Sequence, residues 1–156
     1  MSKTSKALIL AVAIASASIL TAQAQTRPNV SGTWKMNRAK SKFGGDGGPE
    51  SITIKFEQQE GSVHEWLTIA GQQGERTVEL TYKTDGKEAT AVVEGQEFKT
   101  TAKWEGDSLV IVFSDGGDGK FVRKFTLADG GKAMTIDVRR NGPSGGQADT
   151  VFLEKQ

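Results

Sequence analysis

The 156-residue sequence contains no cysteine, and this absence excludes several classes of protein. Without cysteine there is no disulfide scaffold, no thiolate nucleophile, no zinc–sulfur site and no residue for lipoprotein acylation. The folded chain must therefore be held together by its hydrophobic core.

The sequence is also poor in histidine and has no large excess of charge of one sign. His64 is the only histidine, and one histidine without cysteine does not make a transition-metal site. No carboxylate shares the strand face of His64 to orient its imidazole as a base, so we expect a surface or rim position for this residue.

The formal net charge of +1 gives no electrostatic reason to expect nucleic acid as a partner. Because no nucleophile–base pair, metal set or phosphate loop is visible, we expect neither an enzyme nor a cofactor.

The first 24 residues have the organisation of a secretory signal peptide. Two lysines precede an uncharged apolar run, residues 7–20, which is shorter than the about 20 residues that span a bilayer. The small-x-small sequence Ala22-Gln23-Ala24, which signal peptidase accepts, follows this run. We therefore expect cleavage after Ala24 and one exported domain over residues 25–156, periplasmic or extracellular and without a membrane anchor. An uncleaved N-terminal anchor is the alternative.

After residue 29 the sequence alternates apolar and polar residues in short runs, which glycine, aspartate and asparagine separate. In the clearest run, Ile52, Ile54 and Phe56 alternate with polar residues, as in a half-buried strand. No stretch has the pattern of a long amphipathic helix. The predicted strands are 30–36, 51–58, 63–70, 76–83, 89–93, 98–104, 109–113, 121–127, 134–140 and 150–154.

The connections between these runs are short, so neighbours in sequence should pair antiparallel. An antiparallel meander must bury one face and protect two edges, and closure into a barrel does both. We therefore predict an all-β fold, an antiparallel up-and-down β-barrel of about 8–10 strands. An open sandwich of the same strands is the alternative. The interior of a barrel of this size is filled by side chains or holds one small ligand.

The first predicted strand carries Gly32-Thr33-Trp34. This segment resembles the start of calycin proteins, the lipocalins and fatty-acid-binding proteins, whose first strand carries Gly-x-Trp. The wider sequence GTWKMNRAKSKFG and the Glu-Lys-Gln end of the chain are similar to bacterial secreted lipocalin-like domain proteins. The resemblance implies structural roles for two residues: Gly32 allows close backbone packing, and Trp34 plugs the closed end of the barrel.

Residues 103–109 and 121–125 are similar in order and spacing to the late strands of fatty-acid-binding proteins. Two features of those proteins are missing. The segment 38–49 is too short and too glycine-rich for their helix-turn-helix lid. Val151 and Leu153 stand where those proteins carry an Arg-x-Tyr carboxylate clamp, so the sequence does not support a standard fatty-acid clamp.

Arg123 is in phase with Phe121 and Phe125 on its predicted strand, so it faces the core if they do. A buried guanidinium is costly unless it is paired or presented to an anion. The resemblance favours contact with a ligand carboxylate. A structural ion pair and an arginine that reaches solvent at a strand end are the alternatives. Arg76 and Arg140 raise the same question.

We therefore predict an exported, noncatalytic, lipocalin-like protein that binds a small apolar or amphipathic molecule inside its barrel. The predicted ligand contacts are Arg123, Tyr82, Phe121, Phe125 and Arg140. The alternative is an envelope structural or interaction protein with a solid core. In that case Trp66, which is out of phase with the apolar residues of its strand, belongs to a contact surface.

Overall fold

The computed structural model describes residues 26–45, 47–142 and 145–156, so the predicted signal peptide lies outside the described residues. The strands are β1 (Gly32–Met36), β2 (Ser51–Gln59), β3 (Ser62–Gly71), β4 (Gly74–Lys83), β5 (Ala89–Val93), β6 (Gln96–Glu105), β7 (Ser108–Ser114), β8 (Lys120–Ala128), β9 (Ala133–Gly142) and β10 (Gly145–Lys155). Two single 3-10 turns, Arg38–Lys40 and Asp129–Gly131, follow β1 and β8. Within the described ranges, no helix is long and apolar enough to cross a bilayer.

The ten strands form one antiparallel sheet in the order β4-β3-β2-β1-β10-β9-β8-β7-β6-β5. The first and last strands pair with each other, with Trp34 opposite Lys155. The two ends of the sheet approach through the loop after β4, where the Gly86 N–H donates to the Ala102 carbonyl at 2.9 Å. The sheet is therefore a nearly closed up-and-down barrel, as predicted, and not an open sandwich.

All ten predicted strands are present, and the largest difference concerns the start of β10. This strand begins at Gly145 instead of residue 150, and it pairs with β9 from Gly145 opposite Gly142 to Glu154 opposite Ala133. The early part of β10 is rich in glycine and polar residues, which is typical of loops. It is nevertheless a strand because the backbone of every such residue can pair, whatever its side chain.

Gly32 and Trp34, for which structural roles are predicted, both lie on β1. Gly32 has φ of +130°, and a Cβ at this position would lie 2.7 Å from Cε of Lys155. Only glycine adopts this conformation without strain. Trp34 is 0 % exposed, and its indole Nε1 donates a hydrogen bond to the Val30 carbonyl at 2.9 Å.

Burial changes along the barrel, which divides it into two halves. In the filled half, at the Trp34 end, the inward side chains are fully buried; they include Trp34, Phe56, Val63, Leu109, Phe125, Met134 and Leu153. In the open half, at the other end, inward side chains such as Leu67, Ile69 and Phe121 are only half-buried. The filled half therefore contributes most of the core, and the open half leaves space in the barrel.

Replacement of Trp34 by alanine tests the filled half. Trp34→Ala should lower the free energy of unfolding by about 3–5 kcal/mol, because it leaves a cavity in a fully buried site. Urea denaturation followed by circular dichroism measures this loss.

Trp66→Ala is the matched control, since Trp66 lies on the outer face of β3 and is half-buried. We expect a loss of about 1 kcal/mol or less for this variant. Equal losses for the two variants would contradict the assignment of Trp34 to the barrel seal.

Candidate functional site

A buried cluster of polar side chains lies at the boundary between the two halves. Arg123 of β8 and Glu65 of β3 are 5 % and 1 % exposed. The guanidinium of Arg123 donates from Nη1 to Oε1 of Glu65 at 2.7 Å and from Nη2 to Oε2 at 2.8 Å. The hydroxyl of Tyr82, on β4, donates to Oε2 of Glu65 and accepts from Nη2 of Arg123, each at 2.9 Å. The buried cluster thus consists of Glu65, Tyr82 and Arg123.

Strand alternation brings the three residues of the buried cluster together. Glu65 is in phase with Val63 on β3, and Arg123 is in phase with Phe125 on β8, so both side chains enter the barrel. Four strands separate β3 from β8 in the sheet. The ion pair therefore crosses the barrel interior and joins opposite walls.

The charges of the buried cluster compensate each other. Burial by itself lowers the pKa of Arg123. The negative charge of Glu65 and the hydrogen bonds with Glu65 and Tyr82 have a larger effect, so the pKa of Arg123 is raised. Burial raises the pKa of Tyr82 well above its usual value, so the phenol stays protonated. The guanidinium carbon of Arg123 also lies 5.3 and 5.2 Å from the ring centroids of Phe113 and Phe125. Arg123 is thus held on several sides by the protein itself.

The position of Arg123 agrees with its strand phase, but its pairing corrects one expectation. An arginine reserved for a ligand carboxylate has no essential protein partner, whereas Arg123 forms a bidentate pair with Glu65. The structure therefore shows the alternative of a structural ion pair. Sequence reasoning missed Glu65 as the partner, although Glu65 shares the inward phase of Val63 and Leu67.

Two adjoining cavities, of about 480 and 350 Å³, occupy the open half of the barrel. The residues that line both are Leu67, Ile69, Arg76, Phe121, Arg123 and Arg140. The larger cavity extends to the glycine-rich loop at Phe43 and Gly44, and the smaller one extends towards Val78 and Phe98. Both volumes fall within the range of small-molecule sites, roughly 300–1,000 Å³.

The cavities contain three of the five predicted ligand contacts. Phe121, Arg123 and Arg140 line both cavities. Phe125 is buried in the filled half, Tyr82 belongs to the buried cluster at the boundary, and neither residue lines either cavity. The reason is their place along the strand: Phe125 is the next inward residue after Arg123 in the direction of Trp34. Contact of all five residues with a ligand stays a prediction.

Two arginines lie where the cavities open to solvent. Arg140 is 49 % exposed in its side chain, and its Nη1 donates to Oδ2 of the buried Asp149 at 2.7 Å. Its guanidinium carbon lies 5.1 Å from the ring centroid of Phe121. Arg76 is 61 % exposed, and its Nη1 lies 3.5 Å from Oε1 of Glu94. Sequence reasoning missed Asp149, although it shares the inward phase of the apolar residues of β10.

The outer face of β3 carries His64 and Trp66, whose rings stack with centroids 3.9 Å apart. Nε2 of His64 lies 2.8 Å from Oε1 of Glu79, and the ammonium of Lys55 lies 4.5 Å from the Trp66 ring centroid. His64 is therefore a surface residue, as expected, and its carboxylate neighbour comes from β4. In the part of the chain that the structure describes, no group of three or more potential ligands could hold a metal ion.

Disruption of the buried cluster should destabilise the protein. Arg123→Met leaves the Glu65 carboxylate buried without its counter-ion, so we expect a loss of about 3–5 kcal/mol in the free energy of unfolding. Urea denaturation measures this loss.

The triple variant Arg123→Met, Glu65→Leu, Tyr82→Phe is the control. Apolar residues of similar volume often replace a buried ion pair without loss of stability, so this variant should recover most of the loss. A single variant as stable as the wild type would contradict the structural role of the pair.

The pH dependence of stability should report the environment of Tyr82, the only tyrosine in the chain. Its folded pKa is raised, whereas that of an unfolded chain is about 10. Above pH 10 the unfolded state therefore loses a proton that the folded state keeps, and stability falls as the pH rises; below pH 10 this group has no effect. At about pH 11 we expect no tyrosinate absorbance from the folded protein but full absorbance in denaturant. A folded protein that titrates like the denatured one would place Tyr82 in contact with water.

No family model matches the sequence, and no curated protein sequence matches it. Solved structures, in contrast, are similar to this chain over most of its length. Secretory abundant heat soluble protein 4 from Ramazzottius varieornatus has a TM-score of 0.59 at 16% sequence identity. The match covers 81% of this chain and 94% of that protein.

A fatty acid binding protein from Schistosoma mansoni, in complex with arachidonic acid, has a TM-score of 0.59 at 12% identity. The match covers 81% of this chain and 96% of that protein. Human cRBP IV has a TM-score of 0.58 at 14% identity, and the match covers 83% of this chain and 99% of that protein. At these identities the likeness shows the fold alone. These neighbours are calycin β-barrels, and the described chain has their fold.

Proposed function

We propose that this protein binds a small apolar or amphipathic molecule in the open half of its barrel, without catalysis, and that it does so outside the cytoplasm. The observation that carries the proposal is the pair of adjoining cavities, about 480 and 350 Å³, in a barrel whose other half is well packed. A solid core, as in the alternative function, does not agree with these cavities.

The lining of the cavities suits an apolar chain. Most side chains in it are aliphatic or aromatic; those of the larger cavity include Ile52, Ile54, Leu67, Ile69, Ile136 and Val138. Burial of apolar ligand surface against them contributes about 25 cal/mol per Å². The hydrophobic effect can therefore supply most of the affinity.

The ionisable groups of the lining support binding more than catalysis. Among the described residues, each lining carboxylate is paired with an arginine: Glu65 with Arg123, Glu94 with Arg76, and Asp149 with Arg140. A general base needs a carboxylate that can reach and accept a substrate proton, and an ion pair opposes this. We therefore propose a binding protein and not an enzyme.

Proteins of similar fold support the same function. The Schistosoma mansoni neighbour is described as a fatty acid binding protein, and another neighbour, at 13% identity and a TM-score of 0.60, as a fatty acid transporter. The fold is compatible with other functions, so the proposal of ligand binding rests mainly on the cavities, and the similar structures give additional support. Export is supported by the sequence of residues 1–24.

Binding of a neutral fluorescent probe tests the proposal. Phenylnaphthylamine should gain fluorescence on binding to the wild type, with a Kd of roughly micromolar. Leu67 lines both cavities, so the larger side chain of Leu67→Trp should obstruct them and weaken binding at least about tenfold, or about 1.4 kcal/mol.

Thr68→Trp is the matched control, because it adds the same side chain to the outer face of the same strand. It should leave the affinity for the probe unchanged. Probe binding that Leu67→Trp does not weaken would locate the site outside the barrel and contradict the proposal. Native mass spectrometry of the protein from its own cells should show a bound small molecule, and a polypeptide mass that lacks residues 1–24 if the protein is exported.

A further inference from the structure

We propose that Arg76 and Arg140 form a head-group site for a carboxylate at the mouth of the barrel. An anionic amphiphile then binds tail-first, with its chain in the open half and its head beside these two arginines. The inference rests on the proposed function and adds the class of ligand and its orientation.

Arg123, the arginine deepest in the cavities, is not suited to bind the head group. Both Nη atoms of its guanidinium are engaged by Glu65, and Nη2 also donates to Tyr82. A ligand carboxylate in this place would leave Glu65 buried without its counter-ion, which is strongly unfavourable. The floor of the cavities is therefore neutral overall and favours the uncharged end of a ligand.

Arg140 is held over the mouth in a position to meet a ligand. Asp149 accepts a hydrogen bond from Nη1, and the Phe121 ring lies under the guanidinium. Asp149 also accepts a hydrogen bond from the backbone N–H of Gly44 at 2.8 Å, so it is fixed in place. Arginine has five N–H donors, so one bond to Asp149 leaves others for a carboxylate. Phe121 lines both cavities, which connects the head-group position with the apolar interior.

Arg76 supplies the second guanidinium. It stands opposite Ile69 in the pairing of β3 with β4, on the inward face, and it lines both cavities with Arg140. Its contact with Glu94 is 3.5 Å long, and both side chains are largely exposed. An exposed pair of this kind contributes little, so a ligand carboxylate can replace Glu94 at small cost.

The charges at the mouth are compensated, so the site depends on geometry more than on net charge. In the part of the chain that the structure describes, the acidic groups that face the two arginines are Glu94 and Asp149. Arginine binds carboxylates through two parallel N–H bonds, which gives directional recognition even in a neutral surrounding. Because the site is partly exposed, we expect its contribution to decrease with salt.

Displacement of phenylnaphthylamine by decanoate and by methyl decanoate tests the site. The two competitors share one chain and differ in the head group, and the ester is the more apolar of the two. Decanoate should displace the probe at about tenfold lower concentration, a difference equivalent to about 1.4 kcal/mol. Higher ionic strength should reduce this preference.

Variants assign the preference to the two arginines. The double variant Arg76→Gln, Arg140→Gln should prefer decanoate over methyl decanoate by less than about twofold, or about 0.4 kcal/mol, when both competitors are measured against that variant's own affinity for the probe. Arg140→Gln leaves the buried Asp149 carboxylate without its partner and can destabilise the fold. In that case the variant Arg140→Gln, Asp149→Asn, which has no unpaired carboxylate at this place, is tested instead. Arg139→Gln is the matched control, because Arg139 is exposed on the outer face of β9, and it should keep the full preference.

A bulkier head group tests the orientation. N-decanoylglycine has the same chain and a longer carboxylate head, and it should bind within about threefold of decanoate, or about 0.7 kcal/mol, if the head lies at the open mouth. A head buried beside Arg123 would exclude it.

The outcomes separate this inference from the proposed function. Failure of phenylnaphthylamine to bind would overturn both. Probe binding without a preference for decanoate, or a preference that persists in the double variant, would overturn the head-group site alone. Exclusion of N-decanoylglycine would overturn the tail-first orientation.

Discussion

The ion pair between Arg123 and Glu65 determines how the rest of the barrel is used. It joins two walls that are separated by four strands in the sheet, and the Tyr82 hydroxyl adds a hydrogen bond to each partner. A buried ion pair contributes little net stability compared with apolar residues of similar size. The ion pair therefore matters mainly because of where it lies. It fixes β3 against β8 and forms a polar layer without net charge, the floor of the cavities, across the barrel interior.

This floor separates stability from function along the barrel axis. In the filled half, Trp34 and the buried residues around it supply the apolar core that a chain without cysteine needs. In the open half, apolar walls remain uncovered by other side chains, and two adjoining cavities result. Changes in the filled half should therefore affect the free energy of unfolding, while changes at Leu67 or at the mouth should affect binding.

The sequence predicted the strands well because alternation is a local property. Each of the ten runs became a strand, and the inward phase of Arg123 followed from its neighbours. The partner of Arg123 was harder to find, since Glu65 is 58 residues away and the contact depends on how opposite walls face each other. The inward phase of Glu65 was nevertheless present in the sequence. Depth along the barrel was not visible in it: Phe125 shares the inward face of β8 with Phe121 but lies beyond the floor, and Tyr82 is part of the floor itself.

The central claim is that a ligand enters the open half and stops at the buried cluster. Nuclear magnetic resonance of residues 25–156, titrated with decanoate and observed at methyl groups and indole N–H groups, tests this most directly. The methyl signals of Leu67, Ile69 and Val138 should shift on binding, whereas the Trp34 indole and the Val63 methyl groups, beyond the cluster, should not. Shifts confined to the Trp66 indole on the outer face, or equally large shifts at Trp34 and Leu67, would contradict the account.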